Sequence, residues 1–132
     1  MKTKPVLTQE DCAKITAAGQ AEARKNKWNV TIAIVDDGGH LLSLTRMDGT
    51  APVTAEIATL KGRTAAVSRR STKVSEDRIA GGRVALVKMP GVPVQGGVPI
   101  MVEGQCVGAV GVSGVQSHED EQVCNAGIAA LS

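Results

Sequence analysis

This sequence predicts an α+β fold, an antiparallel sheet of four to five strands sandwiched by helices. Three observations carry it. Two pairs of apolar runs of strand length each fold back at a glycine-containing turn. Helical spacing precedes, separates and follows those pairs. No repeat or linker interrupts the order, and 132 residues suit a single compact domain spanning 1–132. Helices packed on an antiparallel sheet are the simplest way to bury such elements.

The first helix opens at Thr8, where Thr8-Gln9-Glu10-Asp11 puts a side-chain acceptor at the N-cap and an acid three residues on. Cys12, Ile15, Ala18, Gly19 and Ala23 recur near three-and-four spacing as one buried stripe, and the helix runs to about Lys25. Asn29–Asp36 is dense in β-branched residues and apolar on both alternating faces apart from Thr31, which marks a central strand. Asp36-Asp37-Gly38-Gly39 is turn chemistry, and His40–Met47 returns as the partner strand.

A second helix begins near Thr50, with Pro52 early, where a missing N–H costs nothing. Val53, Ile57, Leu60, Thr64 and Val67 form its apolar stripe, and it runs to about Arg69. Gly62 sits mid-helix against propensity by about 1 kcal/mol, tolerable where another backbone packs on it. Arg69-Arg70 suits a helix C-terminus, where the macrodipole attracts cations. Ser71–Val92 is the least legible stretch. Ser75-Glu76-Asp77-Arg78 can cap a short helix, Gly81-Gly82 breaks it, and Arg83–Met89 fits helix or strand. Pro90, Gly91 and Pro93 then enforce a loop, which makes this the region to expect over a ligand.

Pro93–Gly114 is the stretch that the rest is built to cover, two apolar strands meeting at Glu103-Gly104 with hairpin spacing. A fifth short strand is expected before Gly96. On the second strand Val107, Ala109 and Gly111 alternate with Gly108, Val110 and Val112, so both faces are apolar and both are covered. Glycine inside a strand marks close approach by a helix, a second subunit or a ligand. Ser117-His118-Glu119-Asp120 is another capping-box pattern, opening a last helix through Val123, Ala126, Gly127 and Ala130.

The totals exclude some function classes. With 15 basic and 13 acidic residues spread along the chain and a net charge of +2, there is no electrostatic footprint for nucleic acid or a membrane surface. Trp28 is the only aromatic residue, so bases have no stacking platform. A core of Val, Ile, Leu, Met, Ala and Gly buries little area per side chain, and a homo-oligomer is the expected way to bury more. Cys12, Cys106 and Cys124 are odd in number and lack CxxC spacing; they read as small buried hydrophobes in a reducing compartment. Met1–Leu7 is too short and polar for a leader and no apolar run approaches a membrane span, so the expected location is the cytoplasm.

No Walker loop, HExxH, GxSxG or dinucleotide fingerprint is present. Three weaker sites remain. Lys61 stands among small neighbours at helical spacing, Thr54, Ala58, Thr64, Ala65 and Ser68. It can lie over a shallow concavity and reach an anion, or snorkel at the edge of the apolar stripe. Val112-Ser113-Gly114 runs from a strand toward a helix start, where backbone N–H groups can hold an anion, although Glu119, Asp120 and Glu121 oppose one there. His40 and His118 are the metal donors to weigh, with Met47, Met89 and the cysteines as softer ligands.

A resemblance joins these pieces. Val35-Asp36-Asp37-Gly38-Gly39-His40-Leu41, Arg46-Met47-Asp48-Gly49, Glu56-Ile57-Ala58 with Lys61, Gly96-Gly97-Val98-Pro99-Ile100, Gly108 through Gly114 and Asp120-Glu121 follow one another as in the GlcG/HbpS family. That family includes the C-terminal domain of PduO-type corrinoid adenosyltransferases. The resemblance implies a profilin-like or PAS-like fold and homo-oligomers. It also implies haem as cofactor for some members, with haem-degrading or redox-sensing roles, and proximity to catabolic genes for many. Two readings follow. In one, haem or a related tetrapyrrole binds near Gly96, Gly97, Ser113 and Gly114, with Lys61 or Arg46 pairing a propionate and His40 or His118 on the iron. In the other, Lys61 or Glu56 is the acid or base of a small isomerase, tautomerase or hydrolase acting on a carboxylate held by Arg46.

Overall fold

The Glu103-Gly104 turn closes its hairpin with both residues in the left-handed region, at φ 51° and 78°. Paired positive φ matches the twist of the strands it joins, so two residues suffice. The structure, a computed structural model describing residues 1–132, starts with α1 (Gln9–Lys25), β1 (Thr31–Asp36), β2 (Leu41–Arg46) and α2 (Val53–Ser68). It continues with α3 (Lys73–Ala80), a 3-10 helix (Val84–Lys88), β3 (Gly97–Val102), β4 (Gln105–Ser113) and α4 (Ser117–Ala129). The strands form one antiparallel sheet in the order β2-β1-β4-β3, and the expected fifth strand before Gly96 is absent.

The capping chemistry explains where the helices begin. Thr8 Oγ1 accepts from the Asp11 amide at 3.1 Å while the Thr8 amide donates to Asp11 Oδ2 at 2.8 Å, the reciprocal box expected from the sequence. At α4 the box lies one residue earlier than Ser117, on Gln116 and Glu119, with the Gln116 amide donating to Glu119 Oε1 at 3.1 Å. α3 starts ahead of Ser75 because the Ser71 hydroxyl accepts from the Lys73 amide at 3.2 Å.

Both faces of β1 and β4 are covered, as their apolar alternation requires. α1 and α4 bury Ile15, Ile32, Ile34, Val110, Val112 and Val123 on one face. On the other, α2 packs Ala65 and Ala66 against Val35 and Ala109. The β3–β4 register slips at Ile100/Met101, inserting Val107 as a bulge. Side chains change face across it. Val107 joins the larger core, whereas Cys106 turns to α2, its thiol 3.8 Å from the Ala66 carbonyl.

α2 carries the apolar stripe expected of it, but the stripe points outward. Its buried residues are Thr54, Ala58, Lys61, Gly62, Ala65 and Ala66, whereas Val53, Leu60 and Val67 are exposed. The cause lies in β4. A Cβ on Gly111 would stand 2.0 Å from the Ala58 carbonyl oxygen and 2.4 Å from the Gly62 nitrogen, so helix and strand touch backbone to backbone. Only small residues fit beneath such a helix. The strand glycines therefore answer to a helix.

Candidate functional site

Two places gather chemistry-bearing side chains, one on each face of α2. The first is closed. Lys61 leaves the buried face of α2 and its ammonium donates to Asp120 Oδ2 at 2.9 Å and to the Val112 carbonyl at 3.1 Å. Asp120 stands in the first turn of α4, and its other oxygen accepts from the Val115 amide at 3.2 Å. Both side chains are almost wholly buried, at 3% and 2% exposure, so the pair ties the helices of opposite layers together past the sheet.

Gly96 and Gly97 leave the room for that passage. A Cβ on Gly96 would meet the Lys61 ammonium at 2.7 Å, and one on Gly97 would meet the Lys61 carbonyl oxygen at 2.2 Å. Burial raises the Asp120 carboxyl above its ordinary range, more than the Lys61 ammonium and the Val115 amide lower it. The Cys124 thiol, donating to the Gly96 carbonyl at 3.2 Å, is likewise pushed up by burial. Around this junction Glu121 accepts from the Ser71 hydroxyl at 3.0 Å and from the Gln95 side chain at 3.1 Å.

The expectation of Lys61 lying over a shallow concavity is corrected here. Its ammonium is enclosed, and no cavity of the molecule is lined by it.

The second place is open. On the outer face of α2, Leu60, Arg63, Thr64 and Val67 wall a cleft whose opposite side is the Leu86–Pro93 segment. Two adjoining hollows of about 280 and 300 Å³ share Thr64, Val67, Pro90 and Gly91. Each is near the lower end of the range of about 300–1,000 Å³ typical of small-ligand pockets. Thr64 anchors the far wall, its hydroxyl accepting from the Val92 amide at 2.9 Å. Arg63 and Arg70 border the cleft, and neither forms an ion pair. An apolar slot edged by free guanidinium groups suits a flat, apolar ligand carrying carboxylates.

Other residues singled out from the sequence are scattered. Gly96, Gly97 and Ser113 are buried near the Lys61 junction, with Ser113 following Val112 on β4. Gly114 is held by close approach, since a Cβ there would stand 2.5 Å from the Asn29 carbonyl oxygen. Arg46 borders a polar cup with Arg24 and Asp48 at the end of β2, away from Lys61. Glu56 is exposed in the first turn of α2 and makes no ion pair.

His40 and His118 are both exposed and belong to no cluster of three or more His, Cys, Asp or Glu side chains. The imidazole of His40 lies over its own turn, where a Cβ on Gly38 would meet the ring at 3.3 Å, and it lines no cavity. Its turn packs through Gly39, where a Cβ would meet Arg63 at 2.8 Å and Val67 at 3.1 Å, onto two residues of the cleft wall. Sequence reasoning missed Asp120 as the partner of Lys61 and missed Arg63 altogether. The only local signal for either was an acid in a helix first turn and a cation beside the outward stripe.

Residues 7–129 match the family described as haem degrading protein HbpS-like. The chain is 54% identical over 114 residues to protein GlcG of Escherichia coli (strain K12), covering 86% of this chain and 85% of that one. An uncharacterized 15.0 kDa protein from the dhaT-dhaS intergenic region of Citrobacter freundii is 28% identical, covering 96% and 92%. Among solved structures, a double mutant of Streptomyces reticuli HbpS superposes with a TM-score of 0.89 at 29% identity, covering 100% and 91% of the two chains. A PduOC:heme complex superposes with a TM-score of 0.85 at 26% identity, covering 96% and 95%.

Proposed function

The chain belongs to the HbpS-like family of haem degrading proteins, and from that premise we propose that it binds haem or a related tetrapyrrole in the cleft on the outer face of α2. One observation carries the reading: the cleft is apolar along Leu60 and Val67 and edged by the unpaired Arg63 and Arg70. A porphyrin presents the complementary surface, a flat apolar body with carboxylates at its edge. The haem complex of a structural relative supports the ligand class. Trp28 takes no part, since it packs against the core.

Within this reading His40 is the iron ligand to test first, because its turn packs on Arg63 and Val67 of α2 while His118 sits at the start of α4, although neither histidine lines the cleft. Arg63 takes the propionate role that the sequence assigned to Lys61 or Arg46. Lys61 serves instead as a strut beneath the cleft. The alternative, an acid–base enzyme acting through Lys61 or Glu56, has less support because Lys61 is sealed from any substrate. We place the protein in the cytoplasm, where three free buried cysteines suit a reducing medium. No helix is long and apolar enough to cross a membrane. We read it as a homo-oligomer, since edge strand β2 leaves Leu41, Leu42 and Leu44 exposed for a second copy to bury; a monomeric mass in sedimentation velocity would sink that part.

The test is a haem titration of the purified apoprotein, followed in the Soret region, with His40→Ala and His118→Ala in parallel. Saturable binding that His40→Ala alters and His118→Ala does not supports the assignment. Unsaturable adsorption, insensitive to both substitutions, overturns the reading.

A further inference from the structure

The lining of the cleft has an uneven balance of charge and donors. Every charged side chain bordering its two hollows is an arginine, Arg63 in one and Arg70 in the other, and no carboxylate accompanies them. Two positive charges stand uncancelled. The arginine side chains that hydrogen-bond within the chain are those of Arg24 and Arg69, so both guanidinium groups of the cleft keep their donors free. A guanidinium in that state can grip a carboxylate through two parallel bonds.

Between the arginines the walls offer little to a polar ligand. On α2 the Thr64 hydroxyl donates to the Leu60 carbonyl at 2.7 Å, and the Ser68 hydroxyl donates to the Thr64 carbonyl at 2.7 Å. Those hydroxyls are spent within the helix. On the opposite wall Pro90 and Pro93 carry no N–H, and the Val92 amide is already given to Thr64 at 2.9 Å. Leu86 and Met89 complete that wall, and a thioether makes favourable contact with an aromatic plane.

Metal donors are what the lining lacks. It includes no histidine, cysteine, aspartate or glutamate, and the Met89 thioether is its one soft donor. Haem iron is held by imidazole, thiolate or phenolate, or by thioether beside imidazole. The residues present therefore fit the rim and the plane of a tetrapyrrole, and they do not fit its centre.

Resting on the tetrapyrrole reading above, we infer that the cleft recognises an apolar dicarboxylic macrocycle irrespective of its metal, so that iron-free porphyrin belongs to the ligand class on equal terms with haem. Affinity then resides in Arg63, Arg70 and the apolar walls. Any bond to iron comes from outside the lining, and it sets the spectrum of the haem form rather than the hold on the macrocycle.

The test titrates the purified protein with haem and, separately, with iron-free protoporphyrin IX, whose own fluorescence reports binding. The two dissociation constants should agree within about threefold, and each ligand should displace the other. The double variant Arg63→Gln/Arg70→Gln, changed only at exposed positions, should bind both ligands at least about tenfold more weakly, by the same factor, with an unchanged unfolding midpoint. Saturable haem binding beside iron-free porphyrin that is weaker by about thirtyfold or more overturns the inference and leaves the haem reading intact. Porphyrin that binds but is not displaced by haem, or that the double variant holds as tightly as the wild type, occupies another surface and also overturns it. Unsaturable uptake of both ligands by the wild type overturns the inference and the reading beneath it together.

Discussion

The two faces of α2 divide its residues against the usual rule. The face toward the sheet carries Ala58, Gly62, Ala65, Ala66 and a lysine, while the face toward solvent carries Val53, Leu60 and Val67. Side-chain size, rather than hydropathy, sorted them. Where backbones touch, as at Gly62 and Gly111, a large side chain has no room, and the long cation is tolerated because its head finds Asp120 beyond the sheet. The inner face is thus committed to holding the fold, and the outer face is free to meet a ligand. Substitutions on the inner face should change stability, and those on the outer face should change binding.

The largest effect should come from the buried ion pair. Lys61→Met leaves Asp120 buried and unpaired, and Asp120→Asn leaves the ammonium so; each should cost about 3–5 kcal/mol in urea unfolding. The double variant Lys61→Met/Asp120→Asn should recover much of that loss, since the amide oxygen can still accept from Val115. Additive losses would show that the two side chains are not coupled. Next comes the glycine contact. Gly111→Ala drives a methyl into the Ala58 carbonyl and should destabilise by about 1–3 kcal/mol or more, whereas Leu60→Ser on the outer face should stay within about 0.5 kcal/mol of wild type. Equal losses at the two positions would erase the distinction between the faces.

On the outer face, Arg63→Gln should weaken haem binding about tenfold, a loss of about 1.4 kcal/mol, with an unchanged unfolding midpoint. Unaltered affinity would remove Arg63 from the site. The smallest effect is on pH dependence, where the buried Asp120 that pairs with the inner face of α2 and the exposed Asp11 at the start of α1 differ in sign. Because burial raises the folded Asp120 carboxyl above 3.8, the folded chain takes up that proton first. Its contribution to stability then grows as pH falls from above the folded value toward 3.8, and is lost again as pH rises through the folded value. Asp11, held below 3.8 by the Thr8 amide and hydroxyl, acts oppositely, its contribution vanishing as pH falls through its folded value. Carboxyl NMR titrations of the folded protein check both directions, and a lowered Asp120 would refute the first.

What the sequence made legible follows from how local each signal is. The Thr8 box, the Glu103-Gly104 turn and the two-faced apolar strands depend on neighbours within a few residues, and each is found where expected. The orientation of α2 depends on Gly111, which lies 49 positions beyond Gly62 in the chain (111 minus 62). The stripe of large residues therefore pointed to the wrong face, although Gly62 itself was a sign of close backbone approach. Lys61 was conspicuous among small neighbours, but nothing near it in the chain announces Asp120. The Ser71–Val92 stretch resisted reading because α3 and the 3-10 helix bury no residue, so no periodic apolar pattern was there to find.

The same separation has a kinetic consequence. Asp120 follows Lys61 by 59 residues, and the passage beside Gly96 and Gly97 closes only when β3, β4 and α4 are all in place. Until α4 docks, the ammonium has no carboxylate and keeps its water, so loss of that water belongs to the last stage of assembly. Closing so long a loop delays the contact further. Unfolding then starts where folding ended, with α4 lifting and water reaching the lysine. In stopped-flow experiments Asp120→Asn should speed unfolding while leaving the folding rate nearly unchanged; a slowed folding rate would mean that the charges meet early.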